Sequence, residues 1–177
     1  MVIMKVCRNK RNTLEDLEWI IGCMCNNTEK VVYMDAAGVV IGSTGSIVNS
    51  FLIAQNAYAD NLNVKIHVLD LIFTKDQFDL DKVITVVRNV LYYFYSAYQC
   101  FVVVEEGEDG YHAMFGINAC SYNGAGKFVD NNSAYVGLRE VLKELIGEEV
   151  SFFYDQTVLF TDQISKAGNY ISVTDTK

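Results

Sequence analysis

Residues 111–128 read Tyr-His-Ala-Met-Phe-Gly-Ile-Asn-Ala-Cys-Ser-Tyr-Asn-Gly-Ala-Gly-Lys-Phe, and no other segment of the chain carries as much structural information. Residues 112–120 have the pattern of a strand, and so do residues 101–105 just before them. The loop between the two, Glu106-Gly-Glu-Asp-Gly110, combines acidic residues with the glycines that are typical of turns. We therefore predict two consecutive strands joined by a short acidic loop.

Segments of strand and helix pattern continue on both sides of this pair. The helices are marked by apolar residues at helical spacing and by capping residues, for example Thr13 with Asp16 three positions later. Further strands are predicted at residues 2–7, 30–34, 64–73 and 150–160, and helices near residues 13, 46, 79 and 133. This order favours a single α+β domain over residues 1–160, a mainly antiparallel sheet of about five strands with helices packed on it. Residues 161–177 are predicted to form a polar C-terminal tail.

Length and composition limit the class of protein. The chain has 177 residues, of which 51 % are hydrophobic, enough for one core. No apolar run reaches the roughly 20 residues that span a bilayer, and the first residues lack the order of a signal peptide. The five cysteines are odd in number and scattered, as expected in a reducing compartment. We therefore expect a cytoplasmic protein without a membrane partner.

The net charge argues against a general nucleic-acid-binding protein. With 14 Lys and Arg against 22 Asp and Glu, the chain carries a net charge of −8. Affinity for DNA comes largely from Lys and Arg that displace phosphate counterions, so this charge has the wrong sign. One basic segment stands out near the N-terminus, and it consists of Lys5, Arg8, Lys10 and Arg11. The composition thus favours a protein partner over DNA.

In order and spacing, the predicted elements resemble the nuclease domain of mobilisation relaxases over roughly residues 2–160. The most specific part is residues 117–128, where relaxases carry an aliphatic-Asn-Ser-Val-Asn-Phe sequence and a Gly-Lys-Phe or Gly-Lys-Tyr turn. Weaker likenesses accompany it in the same order, at residues 4–6 with 14–21, 65–70, 79–98 and 99–104. The resemblance implies a relaxase-like fold for the whole domain.

The same resemblance implies that relaxase chemistry is lost. Active members use a nucleophile, usually Tyr, to attack the scissile phosphodiester, and a metal held by three His to polarise it. The aligned nucleophile position falls near Trp19, and the aligned metal positions fall on Gly110, His112 and Met114. The chain has only two histidines, His67 and His112, so it cannot supply a three-His site. We expect a catalytically degenerate member without a cofactor.

The acidic loop gives a second argument against a relaxase reaction. Glu105, Glu106, Glu108 and Asp109 place four carboxylates where the scissile phosphate would lie, and they would repel the DNA backbone. An alternative is a carboxylate-rich metal site formed by His112 with Glu106, Glu108 or Asp109, because hard divalent cations accept oxygen ligands. The simpler interpretation is a solvated acidic turn beside an ordinary strand histidine.

Three functions remain open. The first is a non-catalytic relaxase-like protein of a mobile genetic element that acts as a binding or regulatory protein on nucleic-acid-processing machinery. A specific form is an anti-CRISPR-like inhibitor, whose carboxylates occupy a surface built for phosphates. The alternatives are an atypical metal-dependent DNA-nicking relaxase, and an accessory protein that binds single-stranded DNA through the basic segment and surface tyrosines.

Overall fold

Seven strands and four helices make up the described part of the chain, which comprises residues 1–7, 12–26, 28–58, 62–124, 126–155 and 171–172 of a computed structural model. The strands are β1 (Val2–Cys7), β2 (Val31–Ala37), β3 (Ile66–Thr74), β4 (Tyr98–Glu106), β5 (Gly110–Ser121), β6 (Val150–Asp155) and β7 (Ile171–Ser172). The helices are α1 (Leu14–Cys25), α2 (Thr44–Tyr58), α3 (Leu80–Tyr95) and α4 (Asn132–Ile146).

All described strands form one sheet in the order β2-β4-β5-β3-β1-β6-β7. Every neighbouring pair is antiparallel except β1 and β6, which run parallel. Strand β5, with 12 residues the longest, lies between β4 and β3 and pairs with both. The predicted strand pair is therefore the β4–β5 hairpin, and its acidic loop lies at one end of the sheet.

The helices cover the sheet on both faces, because successive side chains of a strand point to opposite sides. On one face, Ala113, Phe115 and Ile117 of β5 belong to a core that α3 and α4 complete. On the other face, Met114 belongs to a second core, together with apolar residues of α1 and α2. We call these the α3/α4 face and the α1/α2 face.

Local sequence explains where the helices begin and end. Thr13 and Asp16 form the predicted capping box of α1: the Thr13 hydroxyl accepts the Asp16 N–H, and the Asp16 carboxylate accepts the Thr13 N–H. Helix α4, predicted near residue 133, has Asn131 as its N-cap, since the side chain of Asn131 accepts the N–H of Ala134 at 3.0 Å. Within the described ranges, no helix is both long enough and apolar enough to cross a bilayer.

The α+β class, with a mainly antiparallel sheet and helices packed on it, is confirmed. The described sheet is wider than the expected five or so strands, because it has six long strands and the two-residue β7. Most of the predicted polar tail, residues 161–177, lies outside the described residues. Within it, Ile171 and Ser172 pair with Tyr154 and Phe153, so this part of the tail belongs to the sheet.

Candidate functional site

Four polar side chains lie together on the α1/α2 face, near the end of the sheet that carries the acidic loop. His112 is two positions from Met114 on β5 and therefore on the same face, and Glu105 is its direct partner on β4. On the other side of β5, Asp70 of β3 lies directly opposite Lys5 of β1. We call Lys5, Asp70, Glu105 and His112 the polar sheet face.

The centre of the polar sheet face is a contact between His112 and Asp70. Nδ1 of His112 lies 3.5 Å from Oδ2 of Asp70, and the exposed fractions of the two side chains are 35 % and 13 %. The hydrogen bond to Asp70 raises the pKa of His112, against the opposing effect of burial, and the negative charges of Asp70, Asp109 and Glu105 raise it further. The pair therefore favours an imidazolium at a half-buried position.

Asp70 was not among the residues singled out from the sequence. Its Oδ1 atom is buried and has no hydrogen-bond partner in the described part of the chain. A signal for it exists, because Asp70 is the single acidic residue of β3, a strand that is otherwise largely apolar. A lone carboxylate in a central strand needs a partner there, and His112 on the neighbouring strand provides one.

The four carboxylates predicted to form one acidic patch do not all lie on one face of the sheet. Because strand side chains alternate, Glu105 lies with His112 on the α1/α2 face, whereas Glu106 lies opposite Tyr111 on the α3/α4 face. Glu106 forms an ion pair with Lys75, with Oε1 2.9 Å from Nζ. Glu108 and Asp109 are exposed in the loop itself. Among the described residues, no group of three or more His, Cys, Asp or Glu side chains is arranged so that it could hold a metal ion. His112 is therefore not brought together with Glu106, Glu108 and Asp109 as a metal site.

The three positions aligned with the relaxase metal ligands lie on one face, but only one of them carries a ligand. A Cβ atom at Gly110 would lie 1.8 Å from the carbonyl oxygen of Phe73, so the backbone leaves no room for a side chain. Met114 is only 8 % exposed and packs in the core beneath α1 and α2. His112 remains, and its Nδ1 is directed at Asp70.

The second histidine, His67, cannot complement His112, because it lies on the α3/α4 face. Its ring packs against Phe128, with 4.8 Å between the ring centroids. Burial lowers the pKa of His67 to about 4, although the nearby Asp130 acts in the opposite direction. His67 is therefore a neutral, partly buried histidine at neutral pH.

The most specific part of the relaxase resemblance has a structural role in this chain. Asn118 is fully buried, and its Nδ2 donates to the carbonyl of Phe51 and to Oε1 of Gln99. Its Oδ1 accepts hydrogen bonds from Nε2 of Gln55 and from the backbone N–H of Cys120. These contacts fasten α2 to β4 and β5, because a buried amide must have its hydrogen bonds satisfied.

The predicted basic segment is only partly described. Lys5 lies in β1 on the polar sheet face, opposite Asp70, and Arg8, Lys10 and Arg11 lie outside the described residues. Comparisons with protein-family models, curated proteins and solved structures found no match to the chain. The relaxase resemblance therefore rests on the residues that carry it, and the fold and the polar sheet face rest on the geometry given above.

Proposed function

We propose that this chain is a non-catalytic, relaxase-like binding protein of a mobile genetic element, and that it acts on a protein partner. The observation that supports this best is the state of the three aligned metal positions. Gly110 has no room for a side chain, Met114 is packed in the core, and His112 is paired with Asp70. A three-ligand site for a metal that activates a phosphodiester cannot be assembled from these residues.

The charge around the polar sheet face suits a basic partner. Glu105 faces His112, while Glu108 and Asp109 project from the adjacent loop, and the chain as a whole carries −8. Proteins that bind nucleic acids present Lys and Arg to the phosphates, so a carboxylate-bearing hairpin end is complementary to such surfaces. This chemistry is what an anti-CRISPR-like inhibitor of nucleic-acid machinery requires.

A pull-down from host lysate with matched variants tests this function. We expect the wild-type protein to recover a defined protein, and the Glu108→Gln/Asp109→Asn variant to lose most of it. The Glu140→Gln/Glu144→Gln variant, which removes the same charge from the exposed side of α4, should retain the partner. Recovery of DNA alone, or equal recovery by both double variants, would contradict the proposal.

The alternative of an atypical DNA-nicking enzyme is favoured only by the contact between His112 and Asp70 beside Glu105. Incubation with single-stranded oligonucleotides and Mg²⁺ or Mn²⁺ tests it. We expect neither cleavage nor a covalent protein–DNA adduct. Cleavage by the wild-type protein that disappears in Asp70→Asn and in His112→Gln would establish the enzyme and remove the non-catalytic function.

The alternative of a single-strand binder depends on the basic segment at residues 5–11. Binding to phosphates through Lys and Arg weakens steeply as salt is raised. We expect no binding of single-stranded oligonucleotides even at low salt, measured by fluorescence anisotropy. Tight binding that is lost when Lys5, Arg8, Lys10 and Arg11 are replaced by Gln would support the accessory-protein function instead.

A further inference from the structure

Charge is distributed very unevenly along this chain. Residues 36–59, 89–104 and 113–126 contain no Asp, Glu, Lys, Arg or His, although charged residues make up 20 % of the sequence. The 22 acidic residues that give the net charge of −8 therefore all lie outside these three segments. A chain with a charge at every fifth position on average would rarely leave 24 consecutive positions uncharged, as residues 36–59 do.

The three uncharged segments meet at the end of the sheet opposite the acidic loop. Nε2 of Gln99 donates to the carbonyl of Gly38 at 2.7 Å, which joins the second segment to the first. Gln55 donates to Asn118 at 2.9 Å, which joins the first to the third. The hydroxyl of Tyr122 donates to the carbonyl of Tyr95, which joins the third to the second. In the described part of the chain, the three uncharged segments thus lie side by side at this end of the sheet.

Large apolar side chains are exposed on this end. Val40, Ile41 and Ile53 are 66, 41 and 71 % exposed, and we call them the uncharged surface. The N–H of Val40 donates to Oγ of Ser50, one helical turn before Ile53 on α2. On the other side, Gly38 lies directly against the ring of Tyr95, where an added Cβ would be 3.0 Å from Cε2. The hydrogen bond to Ser50 therefore places the loop that carries Val40 and Ile41 beside α2, the helix that carries Ile53.

We propose that the uncharged surface binds a second copy of this chain in a two-fold symmetric dimer. Two molecules that each carry −8 repel one another, and the repulsion is weakest where the facing surfaces have no charge. A two-fold contact sets the same patch against itself, so an apolar, uncharged patch is self-complementary without any matching of charges. Burial of Val40, Ile41 and Ile53 supplies the driving force.

The edge of the sheet is a less suitable place for such a contact. Strand β2 forms one edge, and the carboxylate of Asp35 accepts the N–H of Ala36 within this strand at 2.8 Å. A charged side chain that occupies a main-chain donor hinders the addition of another strand. The dimer therefore forms through α2 and the loop before it, and the two acidic loops lie at the far ends of the assembly.

Sedimentation velocity over concentrations from about 1 to about 100 µM, the range in which weak dimers dissociate, tests the proposal. The wild-type protein should shift from monomer to dimer. The Ile53→Glu variant should raise the dimer Kd by at least about tenfold, because each copy then buries an unpaired carboxylate. The matched control is Val136→Glu, which introduces the same charge at an exposed apolar position of another helix, 52 % exposed on α4.

Two results would overturn the dimer. One is a wild-type protein that remains monomeric at every concentration, and the other is an Ile53→Glu variant that dimerises as the wild type does. Val40→Asp, at a loop position 66 % exposed, serves as a second variant, and circular dichroism confirms that each variant is folded. The partner binding proposed above uses the opposite end of the molecule, so loss of the dimer and loss of the partner are separate outcomes.

Discussion

His67 and His112 lie on opposite faces of the sheet, and their surroundings move the pKa of the imidazole in opposite directions. Burial among aromatic rings lowers the pKa of His67, whereas Asp70 raises the pKa of His112. Stability is linked to pH through such shifts, because the state that binds protons more tightly is favoured as the pH falls. The two histidines therefore make opposite contributions to the pH dependence of the unfolding free energy.

For His67, the unfolded chain binds the proton near pH 6.5 and the folded chain only near pH 4, so stability is lost as the pH falls through this window. We expect the His67→Gln variant to lose less unfolding free energy than the wild type between about pH 7 and pH 4.5, by roughly 2–3 kcal/mol. Urea denaturation at each pH measures this difference. An equal loss in both proteins would show that His67 is already protonated in the folded state.

For His112, the sign is reversed, because the folded pKa lies above the unfolded value of 6.5. Its contribution is fully present below pH 6.5 and is lost as the pH rises through the folded pKa. The His112→Gln variant should therefore be destabilised more at acidic than at alkaline pH. Asp70→Asn is the matched variant, and NMR titration should show a lower pKa of His112 in it. An unchanged pKa would mean that Asp70 is not the group that holds the proton on His112.

At the scale of the elements, strand β5 is held to its neighbours by two tightly fitted residues. Asn118 connects it to α2 and β4 through three hydrogen bonds, and Gly116 leaves space for the ring of Phe101. A Cβ at Gly116 would lie 2.2 Å from Cε1 of Phe101, which is itself fully buried. On the α1/α2 face, β4 and β5 therefore fit closely together at Gly116 and Phe101.

Gly116→Ala should destabilise the protein by roughly 1–3 kcal/mol, because the buried ring of Phe101 has to move. The double variant Gly116→Ala/Phe101→Leu should lose less than the sum of the two single changes, since the smaller side chain removes the clash. Thermal and urea unfolding of all four proteins gives the interaction energy. Strict additivity of the two changes in unfolding free energy would show that the added methyl group does not clash with the ring of Phe101.

Asn118→Ala should cost about 3 kcal/mol or more, because it leaves the N–H of Cys120, the carbonyl of Phe51 and Oε1 of Gln99 without this partner in the interior. Asn56→Ala, the same substitution at an exposed position on helix α2, is the control and should change stability by less than about 0.5 kcal/mol. Equal unfolding midpoints for the two variants would show that Asn118 does not stabilise the contact between α2 and the sheet.

The sequence predicted most of these elements and fewer of their contacts. Two apolar segments of strand pattern and the acidic loop between them were enough to locate the β4–β5 hairpin, and Thr13 marked the start of α1. The pairing of β1 with both β3 and β6 was not predictable, because strand patterns do not specify partners distant in the chain. For the same reason, the contact of Asp70 with His112 was not predictable, since 42 residues separate them in the chain. Because strand side chains alternate between the two faces, Glu105 and Glu106 also lie on opposite faces of the sheet, although their adjacency in sequence had suggested a single acidic patch.

At the scale of the whole molecule, the proposed dimer contact and the proposed partner site lie at opposite ends of the sheet. The acidic loop lies at one end, and the uncharged surface lies at the other. The net charge of −8 opposes association of two copies, and this opposition depends on the ionic strength. Salt should therefore affect the two proposed contacts in opposite ways.

Raising the salt concentration from about 0.01 M to about 1 M shortens the Debye length from about 30 to 3 Å and should strengthen the dimer. Binding of a basic partner to the acidic loop should weaken over the same range, because it depends on attraction between opposite charges. Sedimentation velocity and partner pull-down at each salt concentration measure the two effects. A dimer that weakens with salt would point to an interface held by ion pairs instead of the uncharged surface.

The parallel pairing of β1 with β6 has a consequence for synthesis of the chain. Val2 pairs with Val150, so 150 − 2 = 148 residues separate the partners. At about 5–20 residues per second, the ribosome needs roughly 7–30 s to make this stretch, and one edge of β1 has no partner during that time. The antiparallel contact with β3 protects only the other edge. The nascent protein thus exposes an apolar strand until β6 has emerged, which makes β1 the segment that a chaperone would be expected to bind.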